Sequence, residues 1–318
     1  MVYAAVVNTW GAAPTYTNIT LDPPSPSQLR IKVLATGVHT LVRSRAAGKH
    51  YSVAGGQPPH IPGIDGVGQV IETGQLVYFN ALKSATGSLA EEIVVEKRDV
   101  FPLAENADPD KVAVLANPAL SSWMALAARA GIRRGEGFKV AIIGATGVSG
   151  GAAVQIAKAF GATDVVAIGK PGTKLDKTKE LGATATIALS ENIEDTDFAA
   201  AADVDVVLDY LWGYVAKAAL IGMVMKRENR SQRLTWVHIG SLAGDELGVS
   251  GTVLRKANVV MMGCGPGSWT WAELGLQLPG MLDAIVDGGL STEFMVKRLK
   301  DVESWWGEVD GPRVVVRP

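Results

Sequence analysis

The amino-acid sequence predicts an α/β protein in which a doubly wound parallel sheet stands beside a second, mostly β domain. Three observations predict this. Residues 1 to about 115 show short period-two runs and many turns but little helical signal. Beyond Asn117-Pro118, continuous apolar runs alternate with helical segments, as parallel strands buried on both faces require. The first of those runs ends in a glycine-rich turn, Gly144-x-x-Gly147-x-x-Gly150.

Taken in order, Val2 to Val7 is a short strand, and Pro23 to Ser27 is a turn. Gln28 to Leu34 alternates polar and apolar residues, the mark of a strand with one wet face. Gly55-Gly56 and Pro58-Pro59 make a loop. Gly63 to Ile71 is a strand crowded by glycines, which predicts a tight bend or bulge. Leu76 to Phe79 and Ala90 to Val95 are further strands. Ser121 is a candidate cap for a helix running through Trp123 to Gly131. Phe138 to Ile143 is a buried strand, Gly151 to Phe160 a helix, and Val165 to Ile168 the next strand. A helix over Leu175 to Leu181 and strands at Thr184 to Ile187, Asp205 to Asp209 and Thr235 to Ile239 continue the alternation. The tail holds a strand at Val259 to Met262, a helix over Leu274 to Gly288 that Pro279 is expected to break or kink, and a last strand at Arg313 to Val316.

With 318 residues the chain suits two domains, each burying its own core. Its 47% hydrophobic content is that of a globular protein. A net charge of -2 without any Lys/Arg block argues against a nucleic-acid partner. No apolar run reaches the ~18 to 20 residues of a membrane helix. The N-terminus lacks the pattern of a secretory signal. The single cysteine, Cys264, allows neither an internal disulfide nor a cysteine zinc site, and fits a reducing, cytoplasmic setting.

The segment Ile142 to Gly151 follows a strand and opens a helix, the context in which spaced glycines bind a dinucleotide in a Rossmann-type domain. Gly147 is expected to permit the tight turn, and Gly150 to let helix and strand approach. First-turn N–H groups around Gly144, Ala145, Thr146, Gly147, Val148 and Gly150 would then face a pyrophosphate. The second strand ends at Gly169-Lys170 without the acid that would hold a ribose 2′-hydroxyl. Lys170 and Lys174 would attract a 2′-phosphate instead, so the expected cofactor is NADP(H).

These residues carry a resemblance. Ala35 to His39, Pro62 to Gly68, the coenzyme turn with Ala153 to Lys158, and Lys179 to Ala183 are together similar to the medium-chain dehydrogenase/reductase superfamily, in its zinc-free quinone oxidoreductase-like branch. The resemblance spans nearly the whole chain. It implies a GroES-like, mostly β catalytic domain over residues 1–118, an NADP(H)-binding domain over 119–262, and a return of 263–318 to the catalytic domain and an interdomain cleft. It also implies a homodimer. By similarity, Asn117 and Ser122 lie near the nicotinamide, Gly240 and Ser241 end a coenzyme-domain strand, Gly263 to Gly267 pass near the nicotinamide, Arg313 approaches the cofactor, and Tyr51 stands near the substrate. Where the superfamily's zinc members carry ligands, this chain has His39, Ile64 and no cysteine near Asn117, so no metal is expected. His39 also replaces the asparagine common in zinc-free quinone reductases, Val42 replaces an aspartate, and the stretch around Gly74 to Val77 is shortened.

The expected function is direct hydride transfer from NADPH to a quinone, an enone or a related activated carbonyl on a small hydrophobic molecule. A zinc-free ketone–alcohol oxidoreductase, a natural-product tailoring reductase or a catalytically weak NADP(H)-binding protein are the alternatives. Such chemistry needs a hydrogen-bond donor at the oxygen that gathers negative charge. His39, Tyr51 and Tyr210 are the candidates, against the simpler readings of a satisfied structural histidine, a lid residue and a pocket wall. Arg43 reads equally as an anion contact or a solvated residue. Trp269 and Trp271 could wall a substrate site or pack across a dimer. Cys264 reads as a buried thiol, and Trp305-Trp306 as packing residues.

Overall fold

In a computed structural model of the chain, residues 2–308 and 311–318 are described, the side chain of Tyr51 excepted. The chain divides into two units, Met1–Asn117 with Ile285–Pro318, and Pro118–Ala284. It opens with β1 (Val2–Val6), β2 (Thr15–Ile19), β3 (Gln28–Val38) and α1 (Thr40–Ala46). Next come β4 (Asp65–Val70), β5 (Leu76–Asn80), β6 (Glu92–Glu96), β7 (Val100–Pro102) and α2 (Pro109–Met124). The alternating region holds β8 (Phe138–Ile143), α3 (Val148–Phe160), β9 (Ala162–Gly169), α4 (Thr173–Glu180), β10 (Ala185–Ala188), β11 (Val206–Asp209), α5 (Gly213–Lys226), β12 (Leu234–His238), α6 (Gly251–Lys256) and β13 (Val259–Gly263). Then follow α7 (Trp271–Asp287), β14 (Phe294–Arg298), α8 (Val302–Trp305) and β15 (Arg313–Arg317).

The central unit is built on a parallel sheet ordered β10-β9-β8-β11-β12-β13. Its strands are apolar along their length because helices cover both faces. Ile143, Ile168, Val207 and Trp236 from the sheet pack with Val215, Leu220 and Met223 of α5 in one buried cluster. The order of strands reverses between β8 and β11, so the carboxyl ends of those two strands flank the place where open sheets of this kind bind ligands.

The other unit carries a mixed sheet ordered β14-β15-β3-β4-β5-β7, with β6 also on β3. Only β14 and β15 pair in parallel; β1 and β2 form a separate hairpin. The tail is joined by β15 lying antiparallel to β3, Val314 opposite Val38. The irregularity expected near Gly63 to Ile71 appears where β4 meets β3, whose register shifts between Val33 and Ala35. Glycine is required there by close backbone approach: a Cβ on Gly68 would stand 2.4 Å from the Lys32 carbonyl oxygen. Ile31, Val33, Phe79 and Ile93 fill one core of this unit, and Val42, Leu299, Val302 and Trp305 another.

Two expectations are corrected. The helix placed after Ser121 starts at Pro109, so Ser121 lies inside it rather than at its cap. Asp108 is the cap: its Oδ1 accepts from Asp110 N at 2.9 Å and Lys111 N at 3.4 Å, and proline is well tolerated at the next position because its missing N–H would be unpaired anyway. Asn117-Pro118, read as a break, is helical; α2 continues as a π-helical turn over Ala125–Ala130 and ends on Gly131 at φ +71°. Pro279 does not break α7, which is continuous over Trp271–Asp287. The region before residue 115 is mostly β with little helix, as expected, and includes the short α1. Among the described residues no helix is long and apolar enough to cross a membrane. Asp108→Ala is expected to lower stability by about 1 kcal/mol in urea unfolding, the usual loss for a helix cap; an unchanged midpoint would place the start of α2 elsewhere.

Candidate functional site

The glycine turn leaves β8 at Ile143. Gly144 takes φ +92°, where a side chain is strained, and the amides of Gly144 and Ala145 donate to the Ile168 carbonyl at 2.9 and 3.0 Å. The tight turn thus belongs to Gly144, not to Gly147 as the sequence suggested. Gly150 has the role expected of it: a Cβ there would stand 2.2 Å from the Gly144 carbonyl oxygen and 2.6 Å from Ala145 Cα. Gly147 is different. It caps α3 at φ −82°, is exposed, and an added Cβ would meet only the Gly144 oxygen at 3.6 Å. Nothing inside the protein requires glycine at that position. A bare backbone beside the unpaired first-turn amides of Val148, Ser149 and Gly150 fits the close approach of a pyrophosphate.

Thr146 packs on the end of β9, where a Cβ on Gly169 would fall 2.6 Å from Thr146 Cγ2. Lys170 follows directly, and Lys174 lies in the first turn of α4; both are exposed and carry no ion pair among the described residues. At the end of β12, Gly240 is pressed against Tyr210, with 2.9 Å between a would-be Cβ and the Tyr210 carbonyl oxygen, and Ser241 is exposed. Gly263 ends β13, and its carbonyl accepts from Arg129 Nε at 2.9 Å while Arg129 Nη1 reaches Ser268 O at 2.7 Å. Arg129, which sequence reasoning did not single out, therefore pins the loop that carries Cys264, Trp269 and Trp271. The two tryptophans meet edge to face at 6.0 Å.

Tyr210 lies just beyond β11, buried, with its hydroxyl 3.0 Å from Ser121 Oγ. Ser121 directs its own proton to Pro118 O at 2.8 Å, so Tyr210 is the donor between the two hydroxyls. Burial pushes the phenol far up, only partly opposed by its contacts with the Ser121 and Ser122 hydroxyls. Tyr210 is thus a protonated phenol whose proton is already engaged. Ser122 is fully buried and donates back to Ala119 O at 3.0 Å. Cys264 is buried beside Ser121, and burial raises its thiol to about 11. Asp209 closes β11: its Oδ1 accepts the amides of Leu211 and Trp212 at 2.9 Å and its Oδ2 accepts Trp236 Nε1 at 3.0 Å. That turn holds Trp212 at φ +56°, with its ring 4.3 Å from that of His238.

In the first unit, His39 stands between β3 and α1 and is buried, its Nε2 3.8 Å from Asp65 Oδ1. Tyr78 donates to Asp65 Oδ2 at 3.1 Å, and Ser88 Oγ donates to the Asp65 carbonyl at 2.7 Å. Arg313 completes the group. His39 Nε2, Asp65 Oδ1 and Arg313 Nη1 are all buried without a hydrogen-bond partner. Burial lowers the His39 pKa, the Asp65 carboxylate raises it in part, and the Arg313 charge lowers it further. Burial also lowers Arg313, to about 10, against the pull of Asp65. The result is a neutral imidazole beside a buried carboxylate whose charge only partly offsets the burial of the Arg313 guanidinium. Tyr78 and Ser88 escaped sequence reasoning, although Asp65 and Tyr78 lie diagonally across the β4–β5 ladder, two positions apart on one face. Asn117 is half-buried in α2. Among the described residues Arg43 pairs with no carboxylate; it donates to the carbonyls of Trp306 and Glu308 and lies over the Trp306 ring. The Tyr51 side chain lies outside the described residues. Among the described residues no group of three or more His, Cys, Asp or Glu could hold a metal.

Two outcomes are expected. Gly150→Ala should cost about 1–3 kcal/mol by overpacking, whereas Gly147→Ala should keep wild-type stability and weaken dinucleotide binding; equal stability loss at both positions would remove the ligand reading of Gly147. For His39, the folded pKa lies below the unfolded value of 6.5, so its contribution is complete above that pH and is lost as pH falls through it. His50, His60 and His238 lean the same way. Stability measured by urea at about pH 5 should therefore fall below that at about pH 7.5, and the drop should shrink in His39→Gln. An identical drop in that variant would contradict the neutral imidazole.

No protein-family model matches the sequence. The chain is 32% identical over the full length of both proteins to a probable NADPH-dependent quinone reductase of Emericella nidulans. It is 25% identical, over 75% of its length and 66% of the relative's, to a mitochondrial NAD(P)H oxidoreductase of Danio rerio. Among solved structures, a mycobacterial quinone oxidoreductase superposes over all of both chains with a TM-score of 0.82 at 19% identity. The Thermus thermophilus quinone oxidoreductase, also solved with NADPH, superposes over 99% of this chain and 100% of that one, with a TM-score of 0.76 at 24% identity. At those identities the structures speak for the fold; the full-length relative carries the kinship. The chain belongs to the medium-chain dehydrogenase/reductase superfamily, in its zinc-free quinone oxidoreductase-like branch.

Proposed function

We propose that the chain reduces a quinone, an enone or a related activated carbonyl on a small hydrophobic molecule, using NADPH. The observation that carries this reading is the end-to-end kinship with a probable NADPH-dependent quinone reductase. The chain is an NADP(H)-dependent oxidoreductase. When bound, NADPH supplies a hydride from its nicotinamide C4, and a proton completes the two-electron reduction.

The chain's residues divide the remaining work. Gly147 and the amides of Val148 to Gly150 receive the pyrophosphate, and the turn at Gly144 and Ala145 holds them in place. Lys170 and Lys174 take the 2′-phosphate, since no carboxylate at the end of β9 repels it. Gly240, Ser241 and Gly263 line the carboxyl edge of the sheet further along, with Asn117 and Ser122 toward the nicotinamide. His39 is the candidate donor to the oxygen that gathers negative charge. A neutral imidazole offers one N–H, which suits hydrogen bonding to a developing oxyanion better than full proton transfer from an imidazolium. Burial keeps that imidazole neutral, with the Asp65 carboxylate opposing and the Arg313 charge adding to it, so both are positioning residues, and Arg313 is also the tail residue that would approach the cofactor. Tyr210, whose proton is engaged by Ser121, shapes the site rather than acting as an acid. Tyr51 remains the second candidate donor. A homodimer would form along β13, one of the two edge strands of the parallel sheet, whose outer backbone groups are unpaired by the sheet itself.

The test is NADPH consumption against a panel of quinones, enones, aldehydes and ketones, with the products identified. Turnover of quinones or enones is expected, and His39→Gln should lower kcat by about 10²-fold with NADPH affinity unchanged. Tight NADPH binding with no turnover of any class would sink the proposal, and full activity in His39→Gln would remove the imidazole from it.

A further inference from the structure

A second group of charged and aromatic side chains lies wholly within the first unit and is used by nothing above. A pocket of about 280 Å³ is lined by Trp10, Arg45, His60, Ile61, Ser84 and Thr86, among others; His39, Asp65 and Arg313 are not among its walls. It is slightly smaller than the ~300 to 1,000 Å³ of drug-sized ligand sites. Arg45 projects from α1 and is 7% exposed. Among the described residues its guanidinium makes one long hydrogen bond, Nη1 to Leu82 O at 3.3 Å, and its Nε is buried without a partner. Among the described residues no carboxylate pairs with it, and its pKa is drawn down by burial with no acid opposing. His60 adds to the imbalance. Its Nε2 is buried and unpartnered, and its pKa is lowered by burial and then by the Arg45 charge. Trp10 lies against the His60 ring with centroids 5.4 Å apart. The loop Ser84 to Gly87 is held close, since a Cβ on Gly87 would stand 2.1 Å from Ile61 O.

A buried arginine with a single weak partner is costly unless an anion compensates it, and a guanidinium fork matches the two oxygens of a carboxylate or phosphate. The neighbouring imidazole can donate one more hydrogen bond. Trp10, Val53 and Ile61 supply an apolar wall. We propose that this pocket binds a small oxyanion-bearing molecule, a carboxylate or a phosphate, through Arg45 and His60, with its flat or apolar body against Trp10.

The probes are benzoate, its neutral isostere benzamide, and inorganic phosphate, titrated into the full chain by calorimetry. Benzoate is expected to bind roughly tenfold more tightly than benzamide, as a charge-assisted pair requires. Phosphate that competes with benzoate would extend the site to phosphates, and a benzoate isotherm unmoved by phosphate would confine it to carboxylates. Arg45→Gln should lose the benzoate preference while NADPH binding persists as the sign of a folded chain. Should that variant fail to fold, Ala85→Phe, at an exposed lining position, should block benzoate without touching a buried charge. Benzamide binding as well as benzoate, or wild-type benzoate affinity in Ala85→Phe, would overturn the proposal.

Discussion

There is no room for a side-chain carbon between Gly150 and the carbonyl of Gly144, and the cofactor half of the molecule depends on that contact. Helix α3 can start directly over the end of β8 only because its third residue touches the turn backbone. The turn in turn is tied to β9 through the Ile168 carbonyl, and β9 presents Gly169 to Thr146 and Lys170 to solvent. Tyr210 and Gly240 close the same edge from β11 and β12. A bound pyrophosphate would meet amides already fixed by packing, which limits the ordering left to the moment of binding.

The fold class was legible in the sequence because its strongest signals are local. A strand buried on both faces must be apolar throughout, so β8 stands out, and a strand–glycine–helix succession has few other meanings. What was misread was also local. Asn117-Pro118 resembles a helix boundary, yet a proline is tolerated inside a long helix when tertiary packing outweighs its missing hydrogen bond. The true start was marked by Asp108-Pro109, a cap followed by a proline, and that signal was available. At the glycine turn, spacing identified the motif but could not distribute its roles, since only the backbone angle at Gly144 and the empty space at Gly147 separate turn from ligand contact.

The charged groups were less legible, for a different reason. Asp65, Tyr78, Ser88, His39 and Arg313 come from three strands, a loop and the start of α1, and Arg129 reaches a loop more than a hundred residues away. No local periodicity reports such meetings. Around Asp65, burial disfavours charge, so the His39 imidazole is held neutral and Arg313 is lowered, with the Asp65 charge compensating in part. Arg45 lacks that compensation, which is why its surroundings read as a place for an anion. Trp212, held left-handed by the Asp209 carboxylate, belongs to the same class of features that only tertiary structure reveals.

The central claim is that the edge formed by Gly144 to Gly150 and Lys170 holds a dinucleotide bearing a 2′-phosphate. It is tested most directly by the affinities of NADPH and NADH for the wild-type chain and for Lys170→Gln, measured side by side at low ionic strength. The account predicts a clear preference for NADPH in the wild type. In the variant, NADPH should weaken by about tenfold, the equivalent of about 1.4 kcal/mol, with NADH unchanged. Equal affinity for the two cofactors in the wild type, or equal weakening of both in the variant, would contradict it.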